Sequence, residues 1–336
     1  MKILIVGGTG HIGSYLVPRL LRNNFEVSVV SRNCKPRYPV AEAEWGRVGW
    51  IQADRREEEK SGAWQKRMDA VKTDVVIDLI CFTPEQNRLM MEAFGGRISH
   101  FLHCGTLWAY GPAYRVPYRE EFPRRPITEY GKQKHLIETE LYNAYCASNF
   151  PSTVIHPGHI SGAGWLPVDP QGTLAGTDVY ENLAAGRKVR LPDNGLATLH
   201  HVHADDVAQL FERAVLRRNI SVGESFSAAA SFAMTLVECC REVAGIFGRS
   251  PVVEMTPLQD LKSFMNEDSY KIAKTHVEHS PCASIAKARK LLDFQPRYTI
   301  PQIYRECIER LLREGASRTL TRARSRNSVR NAGKPA

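Results

Sequence analysis

A tyrosine and a lysine four residues apart carry the clearest chemistry in this chain. Tyr130 and Lys134 fall within residues 129–148, which we predict to be helical, so the two side chains share one face. A tyrosine alone is a poor base, because its pKa is about 10. A cation about 4 Å away stabilises the phenolate by about 4 kcal/mol at an effective dielectric constant of 20, and desolvation offsets part of that. We therefore expect Tyr130 to exchange a proton with a substrate hydroxyl or carbonyl group near neutral pH.

Most tyrosine and lysine pairs at this spacing belong to a solvated helix face, so their chemistry depends on the rest of the chain. Residues 7–13, Gly-Gly-Thr-Gly-His-Ile-Gly, form a glycine-rich turn between an apolar strand and an amphipathic helix. In this turn Gly7 allows a sharp bend, Gly10 allows close approach of a pyrophosphate, and Gly13 allows helix and strand to pack closely. We predict the first βα turn of a dinucleotide-binding fold, with the helix N-terminus facing the phosphates. The alternative is a structural turn without a ligand.

Alternating strand and helix patterns predict the elements that position these residues. The predicted strands are 3–6, 26–31, 48–52, 74–80, 99–104 and 152–156, and the predicted helices include 84–94, 129–148 and 205–217. This order predicts an α/β fold, a doubly wound parallel sheet of the Rossmann type with a smaller C-terminal substrate-binding lobe. Glycine and proline crowd together after residue 157, which predicts a loop-rich excursion over the ligand site.

The domain boundaries follow from these patterns. We predict a dinucleotide-binding domain of residues 1–160 with 198–229, a substrate-binding lobe of residues 161–197 with 230–312, and a basic tail of residues 313–336. The formal net charge is +9, and the tail holds six Arg and one Lys against one Glu. The remainder is thus nearly balanced. We expect the tail to be disordered and either functionally silent or in weak contact with an anionic partner.

Composition favours a globular protein of a reducing compartment. The 336 residues are 43% hydrophobic, enough for a large core. The first apolar run has four residues and no basic stretch before it, so we expect neither a signal peptide nor a membrane span, and a cytoplasmic location. Eight cysteines lie scattered without a CxxC pair, which argues against disulfides and structural zinc.

Six segments together resemble the extended short-chain dehydrogenases/reductases of the NAD-dependent epimerase/dehydratase family. They are GGTGHIG (7–13), DVVIDLI (74–80), TLWAYG (106–111), Tyr130 with Lys134, HPG (156–158) and HADDVA (203–208). A late segment, SIAKARKLLDFQPRYT (284–299), is similar to the family's C-terminal motif. The resemblance extends over nearly the whole chain before the tail.

The resemblance implies roles for individual residues. Thr106 would hold the substrate oxygen while Tyr130 moves the proton, and Lys134 would also bind the nicotinamide ribose. Further cofactor contacts would come from the turn, including Thr9, His11 and Ile12, and from Asp54 and Pro157. Simpler roles stay open, since Thr106 could satisfy the backbone at a strand end and Asp54 could form a turn.

The end of the second strand determines the choice of cofactor. A carboxylate here would hold the ribose 2′-hydroxyl of NAD, whereas a 2′-phosphate favours arginine. Residues 27–33 contain no acid and offer Ser31 and Arg32. We therefore favour NADP over NAD. Stacking of Arg32 on the adenine of NAD is the alternative.

Departures from the family pattern narrow the reaction. Dehydratases similar to this chain place Asp-Glu after the catalytic threonine, and here those positions are Leu107 and Trp108, which disfavours dehydration. His156 stands where the family commonly has arginine, and Cys81-Phe82-Thr83-Pro84 replaces its small residues, so we expect unusual pocket walls. Epimerisation through a transient ketone and simple carbonyl reduction or alcohol oxidation both remain.

The histidines offer weaker alternatives. His200, His201 and His203 could suggest a metal, but no further ligand has suitable spacing, so we predict no metal site. We expect Asp205 or Asp206 to cap the following helix. His103 and His159 flank the predicted site, either as auxiliary acid–base groups or in structural roles.

The leading hypothesis is an NAD(P)-dependent oxidoreductase or epimerase acting on a secondary alcohol or ketone of a sugar or sugar nucleotide. One alternative is a carbonyl reductase of a non-sugar small molecule. The other is a catalytically silent NADP-binding regulator or RNA-associated protein, with the tail as its contact arm. We expect a small sugar-like substrate and no nucleic-acid or membrane partner, and the resemblance implies a homodimer.

Overall fold

The computed structural model describes residues 1–38, 40–174, 176–315 and 320. Its strands in chain order are β1 (Lys2–Val6), β2 (Glu26–Ser31), β3 (Gly49–Gln52), β4 (Val75–Asp78), β5 (His100–Cys104), β6 (Ser152–Pro157), β7 (His159–Ser161), β8 (Lys188–Pro192), β9 (Thr198–Leu199), β10 (His201–His203), β11 (Ser225–Ala228), β12 (Met234–Thr235) and β13 (Val252–Thr256). Its α-helices are α1 (His11–Arg22), α2 (Glu42–Trp45), α3 (Arg55–Ser61), α4 (Ala63–Ala70), α5 (Pro84–Phe94), α6 (Glu129–Ser148), α7 (Asp178–Ala185), α8 (Ala204–Leu216), α9 (Arg218–Ser221), α10 (Leu236–Ile246), α11 (Glu267–His279), α12 (Ala286–Leu292) and α13 (Ile300–Arg313). Short 3₁₀ helices cover Leu107–Ala109 and Leu258–Ser263.

A parallel sheet organises the N-terminal part of the molecule. Its strand order is β3-β2-β1-β4-β5-β6-β11. The chain moves outward from β1 in one direction through β2 and β3, then returns to pair β4 on the other side of β1. The order therefore reverses between β1 and β4, which is where open α/β sheets bind ligands at the strand carboxyl ends. The predicted doubly wound Rossmann-type sheet is confirmed.

Both faces of this sheet are buried. Ile3 and Ile5 of β1 contact the cluster that includes Leu16 of α1 and Phe211 of α8. The alternate residue Leu4 lies in the opposite cluster with Phe94 of α5 and Ile137 of α6. Continuous apolar strands of this kind are typical of parallel sheets covered by helices on both sides.

A third core lies beyond the sheet. It includes Val168, Tyr180, Leu191, Val243 and Tyr304, which come from chain segments on either side of β11. In this region β8 pairs in parallel with β13. Within the described ranges no helix is long and apolar enough to cross a membrane. Most of the predicted tail, residues 316–319 and 321–336, lies outside the described residues.

Helix boundaries follow local capping. The side chain of Thr83 accepts the Gln86 N–H at the start of α5, and Thr128 accepts the Gly131 N–H at the start of α6. The expected cap of α8 by Asp205 or Asp206 is wrong, because the His203 ring accepts the Asp205 N–H. The two carboxylates have other partners. Arg19 pairs with Asp205, and the backbone N–H groups of residues 297 and 298 donate to Asp206.

Candidate active site

The glycine-rich turn closes β1 and opens α1. Gly7 has φ +82°, in the left-handed region, and its N–H donates to Val30 O at 3.1 Å. A β-carbon on Gly13 would lie 2.1 Å from Gly8 O, so helix and turn are in close contact. A β-carbon on Gly10 would meet only Gly7 O, at 3.5 Å, and no side chain caps the first turn of α1. The open space and the free helix N-terminus fit the pyrophosphate of a dinucleotide.

Two glycine substitutions separate packing from ligand binding in this turn. We expect Gly13→Ala to lower the free energy of unfolding by about 1–3 kcal/mol, because its methyl group meets backbone atoms. We expect Gly10→Ala to change that free energy by less than about 0.5 kcal/mol but to raise the cofactor Kd at least about tenfold, since its methyl group occupies the pyrophosphate space. Denaturant unfolding and cofactor titration measure the two effects. Equal stability of both variants would contradict this assignment.

Ser31 ends β2 beside this turn, and Arg32 follows it. Ser31 is buried, and its Oγ accepts the Cys34 N–H. Arg32 is exposed, and its backbone oxygen accepts a hydrogen bond from Gln52. The next strand ends nearby, since Ala53 N–H donates to Ser31 O. Asp54, one residue on, accepts two backbone N–H groups as the cap of α3, so in this structure it has a demonstrated structural role.

Lys134 lies at the carboxyl end of the sheet, between the ends of strands β4 and β5. Its side chain is buried, and the ammonium donates to Cys81 O and Cys104 O, both at 2.6 Å. The pKa of Lys134 is lowered, since burial outweighs the opposing influence of nearby groups. A β-carbon on Gly7 would lie 2.6 Å from the Ile80 side chain, so the segment after β4 also contacts the glycine-rich turn. Lys134 therefore contacts the segment that borders the switch point between β1 and β4.

Tyr130 lies one turn before Lys134 on α6. Its side chain is 43% exposed, and the Lys134 ammonium lies 5.8 Å from the centre of its ring. The Thr106 side chain lies close enough to Tyr130 to influence its pKa. Burial raises the pKa of Tyr130 above its ordinary value, and the contact with Thr106 offsets only part of this. The predicted lowering of the Tyr130 pKa by Lys134 is not seen in this structure, where the Lys134 ammonium donates to two carbonyl groups.

Thr106 follows β5 and starts a 3₁₀ helix. Its Oγ accepts the Trp108 N–H at 3.3 Å, so the alternative backbone role holds alongside the contact with Tyr130. Leu107 is buried, whereas Trp108 is half-buried and packs on His279, with ring centres 4.4 Å apart. Neither residue can act as an acid or a base where the family's dehydratases carry a carboxylate pair.

His156 and Pro157 end β6, opposite Thr106. The expectation that His156 forms a pocket wall is wrong, because its side chain is fully buried and contacts the Thr106 backbone and Glu138. Pro157 is also buried, at the last position of the strand. His103 is buried too, and burial lowers its pKa well below the ordinary value. His103 and His156 lie behind the candidate site, within the protein interior.

The motif around His200 serves the fold. His200 Nε2 contacts Ala230 O, His201 Nε2 accepts the Val168 N–H, and His203 caps α8. In the described part of the chain no group of three or more His, Cys, Asp or Glu side chains could hold a metal ion.

Glu138 is the residue that sequence reasoning missed. It lies four residues after Lys134 and eight after Tyr130, so the three share one face of α6. The spacing of Glu138 from Lys134 and Tyr130 is visible in the sequence. Its partner His156 lies on strand β6, so this contact is not visible there. The structure thus joins Thr106, Tyr130 and Lys134 at the sheet edge and adds a buried carboxylate behind them.

The relatives of this chain include a reductase and a stem-loop binding protein. The chain is 28% identical over 207 residues to the 2′-dehydrokanamycin reductase of Streptomyces kanamyceticus, which covers 61% of this chain. The match spans about half of that relative's length, 55%. The chain is also 23% identical over 314 residues to the chloroplast stem-loop binding protein of 41 kDa b of Arabidopsis thaliana. This match covers 89% of this chain and 76% of the relative.

A solved structure shows the same fold. The UDP-glucuronic acid 4-epimerase of Bacillus cereus, in complex with NAD, has a TM-score of 0.68 and 18% identity, covering 94% of this chain and 99% of that one. A family model, "NAD dependent epimerase/dehydratase family", matches residues 3–229. Fold, site geometry and this match agree. The chain therefore belongs to the NAD dependent epimerase/dehydratase family.

Proposed function

We propose that this protein is an NADP-dependent enzyme that transfers a hydride to or from a secondary alcohol or ketone of a sugar-like substrate. The single observation that carries this proposal is the convergence of Thr106, Tyr130 and Lys134 at the end of β5, where the Lys134 ammonium lies 2.6 Å from Cys104 O and 5.8 Å from the centre of the Tyr130 ring. Two hydroxyls that meet at one point can bind one substrate oxygen and exchange a proton with it.

Each group has a separate task. Tyr130 gives a proton to a carbonyl oxygen, or takes one from a hydroxyl, and its exposed fraction leaves it accessible. Thr106 holds the same oxygen by a hydrogen bond. A nicotinamide cofactor supplies or accepts the hydride when bound. Lys134 would hold its ribose, the turn of residues 7–13 its pyrophosphate, and Asp54 and Pro157 would flank its adenine and nicotinamide ends.

The cofactor preference rests on the loop after β2. Arg32 is exposed at the end of this strand, and no carboxylate occurs in residues 27–33. NAD is bound in the B. cereus epimerase structure, and NAD stays the alternative for this chain. Ser31 and Arg32 favour a 2′-phosphate, because a guanidinium binds phosphate through charge-assisted hydrogen bonds.

Arg32→Ala tests this preference. We expect the Kd for NADPH to rise about tenfold to a hundredfold, because the variant loses a charge-assisted hydrogen bond to the 2′-phosphate. The Kd for NADH should stay within about twofold. Titration followed by protein fluorescence measures both. NADH serves as the internal control because it lacks the 2′-phosphate. Tighter binding of NADH than NADPH by the unchanged protein would overturn the preference.

The substrate class is argued from departures in the site. Leu107 and Trp108 place no acid or base directly after Thr106, which suits reduction, oxidation or epimerisation. One relative is named as a reductase of a dehydrokanamycin, so keto-sugars and keto-aminoglycosides are suitable probes. Segments 161–197 and 230–312 would supply the substrate contacts, and a homodimer is part of the proposal.

The experiment is a hydride-transfer assay. Purified protein is mixed with NADPH or NADH and a panel of keto-sugars, keto-aminoglycosides and non-sugar ketones, and loss of absorbance of the reduced cofactor is followed. We expect turnover with a sugar-like ketone. Turnover only with non-sugar ketones would favour a general carbonyl reductase.

One relative favours a second candidate function. The similarity to a stem-loop binding protein extends over 89% of this chain, and residues 313–336 are strongly basic. An RNA-associated role predicts stem-loop RNA binding that weakens with salt and is lost when residues 313–336 are removed. Absence of salt-sensitive binding would exclude this candidate.

A further inference from the structure

A group of three side chains, one fully and two largely buried, contacts the segment that carries Thr106. The group, which we name the Thr106 clamp, consists of Arg124, Glu138 and His156. The sequence motifs gave no role to Arg124 or Glu138, and they connected His156 only with the pocket walls. They come from a loop, from helix α6 and from strand β6, so they link separate parts of the fold.

His156 contacts the Thr106 backbone directly. Its Nδ1 lies 3.1 Å from both the nitrogen and the oxygen of Thr106, and its Nε2 lies 3.0 Å from Glu138. A carboxylate only accepts hydrogen bonds, so Nε2–H donates to Glu138. In the neutral ring Nδ1 accepts the Thr106 N–H, and in the protonated ring Nδ1–H donates to the Thr106 carbonyl. Both states therefore hold Thr106.

Glycine beside Thr106 makes this approach possible. A β-carbon on Gly105 would lie 2.6 Å from His156 Nδ1. Any other residue at this position would displace the imidazole from Thr106. Gly105 therefore leaves the space that the contact between His156 and Thr106 requires.

Glu138 and Arg124 fix the position of the imidazole. Arg124 binds Glu138 through two nitrogens, at 2.9 and 2.7 Å. Burial alone would raise the pKa of Glu138, but His156 and Arg124 outweigh it and hold that pKa well below the usual range. The carboxylate is therefore ionised near neutral pH and accepts the hydrogen bond from His156.

Arg124 also reaches the other end of the same segment. Its guanidinium lies over the ring of Tyr110, 3.9 Å from the centre, and donates to the oxygens of Glu120 and Phe122. Tyr110 ends the 3₁₀ turn that Thr106 begins. The clamp thus contacts residues 106 and 110, the two ends of one turn.

We infer that His156 is a positioning residue, which holds the Thr106 hydroxyl against Tyr130 through the Thr106 backbone. Tyr130, Lys134 and Glu138 occupy successive turns of α6, so one helix face both supplies the proton-transfer pair and anchors its third member. The catalytic part of this inference rests on the proposed function. The structural part does not, and it can be measured without turnover.

Amide exchange measures the contact itself. Hydrogen–deuterium exchange, resolved to Thr106 by fragmentation of its peptide, is compared in wild type, His156→Leu, His156→Asn and His156→Gln. Asn keeps a polar group at the Nδ1 position and Gln keeps one at the Nε2 position. We expect Thr106 to exchange at least about tenfold faster in the Leu and Gln variants and near the wild-type rate in the Asn variant.

His100→Leu is the matched control. His100 is a buried histidine at the other end of the neighbouring strand β5, bonded to Thr153 at 2.8 Å. Thr106 exchange no faster in His156→Leu than in His100→Leu would overturn the inference. If His156→Leu fails to fold, equal rates in the Asn and Gln variants would overturn it instead.

Kinetics test the catalytic part separately. In the enzyme that turns over, we expect His156→Leu to lower kcat about tenfold with an unchanged KM for the cofactor, and His156→Asn to recover most of kcat. A general loss of structure would instead change both constants. An unchanged kcat with faster Thr106 exchange would overturn the catalytic role. A wild-type protein without turnover would contradict the proposed function, while the exchange result would still decide the contact.

Discussion

Tyr130→Phe is expected to lower kcat by a factor of about 10² to 10⁴, the range found when a general acid–base group is removed. The substitution deletes only the hydroxyl of Tyr130, whose pKa Thr106 influences. The ring that lies near Lys134 is kept, so the cofactor Kd is expected to stay within about twofold. Steady-state rates and a cofactor titration on the same preparation measure the two quantities.

Tyr142→Phe is the matched control for this experiment. Tyr142 lies on the same helix, three turns further on, and is 58% exposed. Loss of its hydroxyl should leave kcat unchanged. Full activity of Tyr130→Phe would remove Tyr130 from the mechanism. An equal loss in both variants would point to damage to α6 rather than to lost chemistry.

The folded protein is expected to lose stability steeply below about pH 6.5, because it buries several neutral histidines. Burial lowers the pKa of His11 and His100 to about 3 and of His200 and His279 to about 4. Burial also lowers the pKa of His103 and His201 well below the ordinary value. The unfolded chain binds protons at these sites near pH 6.5, whereas the folded chain does not. Stability is therefore complete above that pH and declines as the pH falls.

The expected loss of stability is large compared with the total stability of a domain. Each such histidine removes about 1.5 kcal/mol of the free energy of unfolding between about pH 6.5 and pH 5. Asp169 acts in the opposite sense, since burial raises its pKa to about 6 and the folded state gains a proton there. Total stabilities of domains are about 5–15 kcal/mol, so we expect unfolding near about pH 5.

Proton uptake on unfolding tests this directly. At about pH 5.5 we expect a net uptake of about five protons per molecule, measured from the pH dependence of urea unfolding. His100→Asn should reduce the uptake by about one proton. An uptake of less than one proton in the wild type would contradict burial of the histidines in neutral form.

Local signals explain why helix and strand positions could be predicted so well. The predicted helices 84–94 and 129–148 agree with α5 and α6, because a threonine cap stands before each and apolar residues repeat along them. The predicted strand 26–31 agrees with β2. The pairing of β8 with β13 could not be predicted, since it joins segments about sixty residues apart that carry no shared pattern.

The electrostatics of the site depend on tertiary contacts. The four-residue spacing of Tyr130 and Lys134 correctly predicts that they are neighbours. It does not predict that the Lys134 ammonium donates to the carbonyl oxygens of both Cys81 and Cys104. Those acceptors depend on where β4 and β5 end. The same applies to His156, whose partner Glu138 is brought close only when β6 joins the sheet.

The position of β11 has a consequence during protein synthesis. β11 pairs with β6 at the edge of the sheet, but 67 residues lie between the end of β6 and the start of β11. A nascent chain that has just completed β6 therefore exposes the free edge of that strand until residue 228 leaves the ribosome. Open edges of this kind promote aggregation, so truncated chains that end before β11 are poor expression targets.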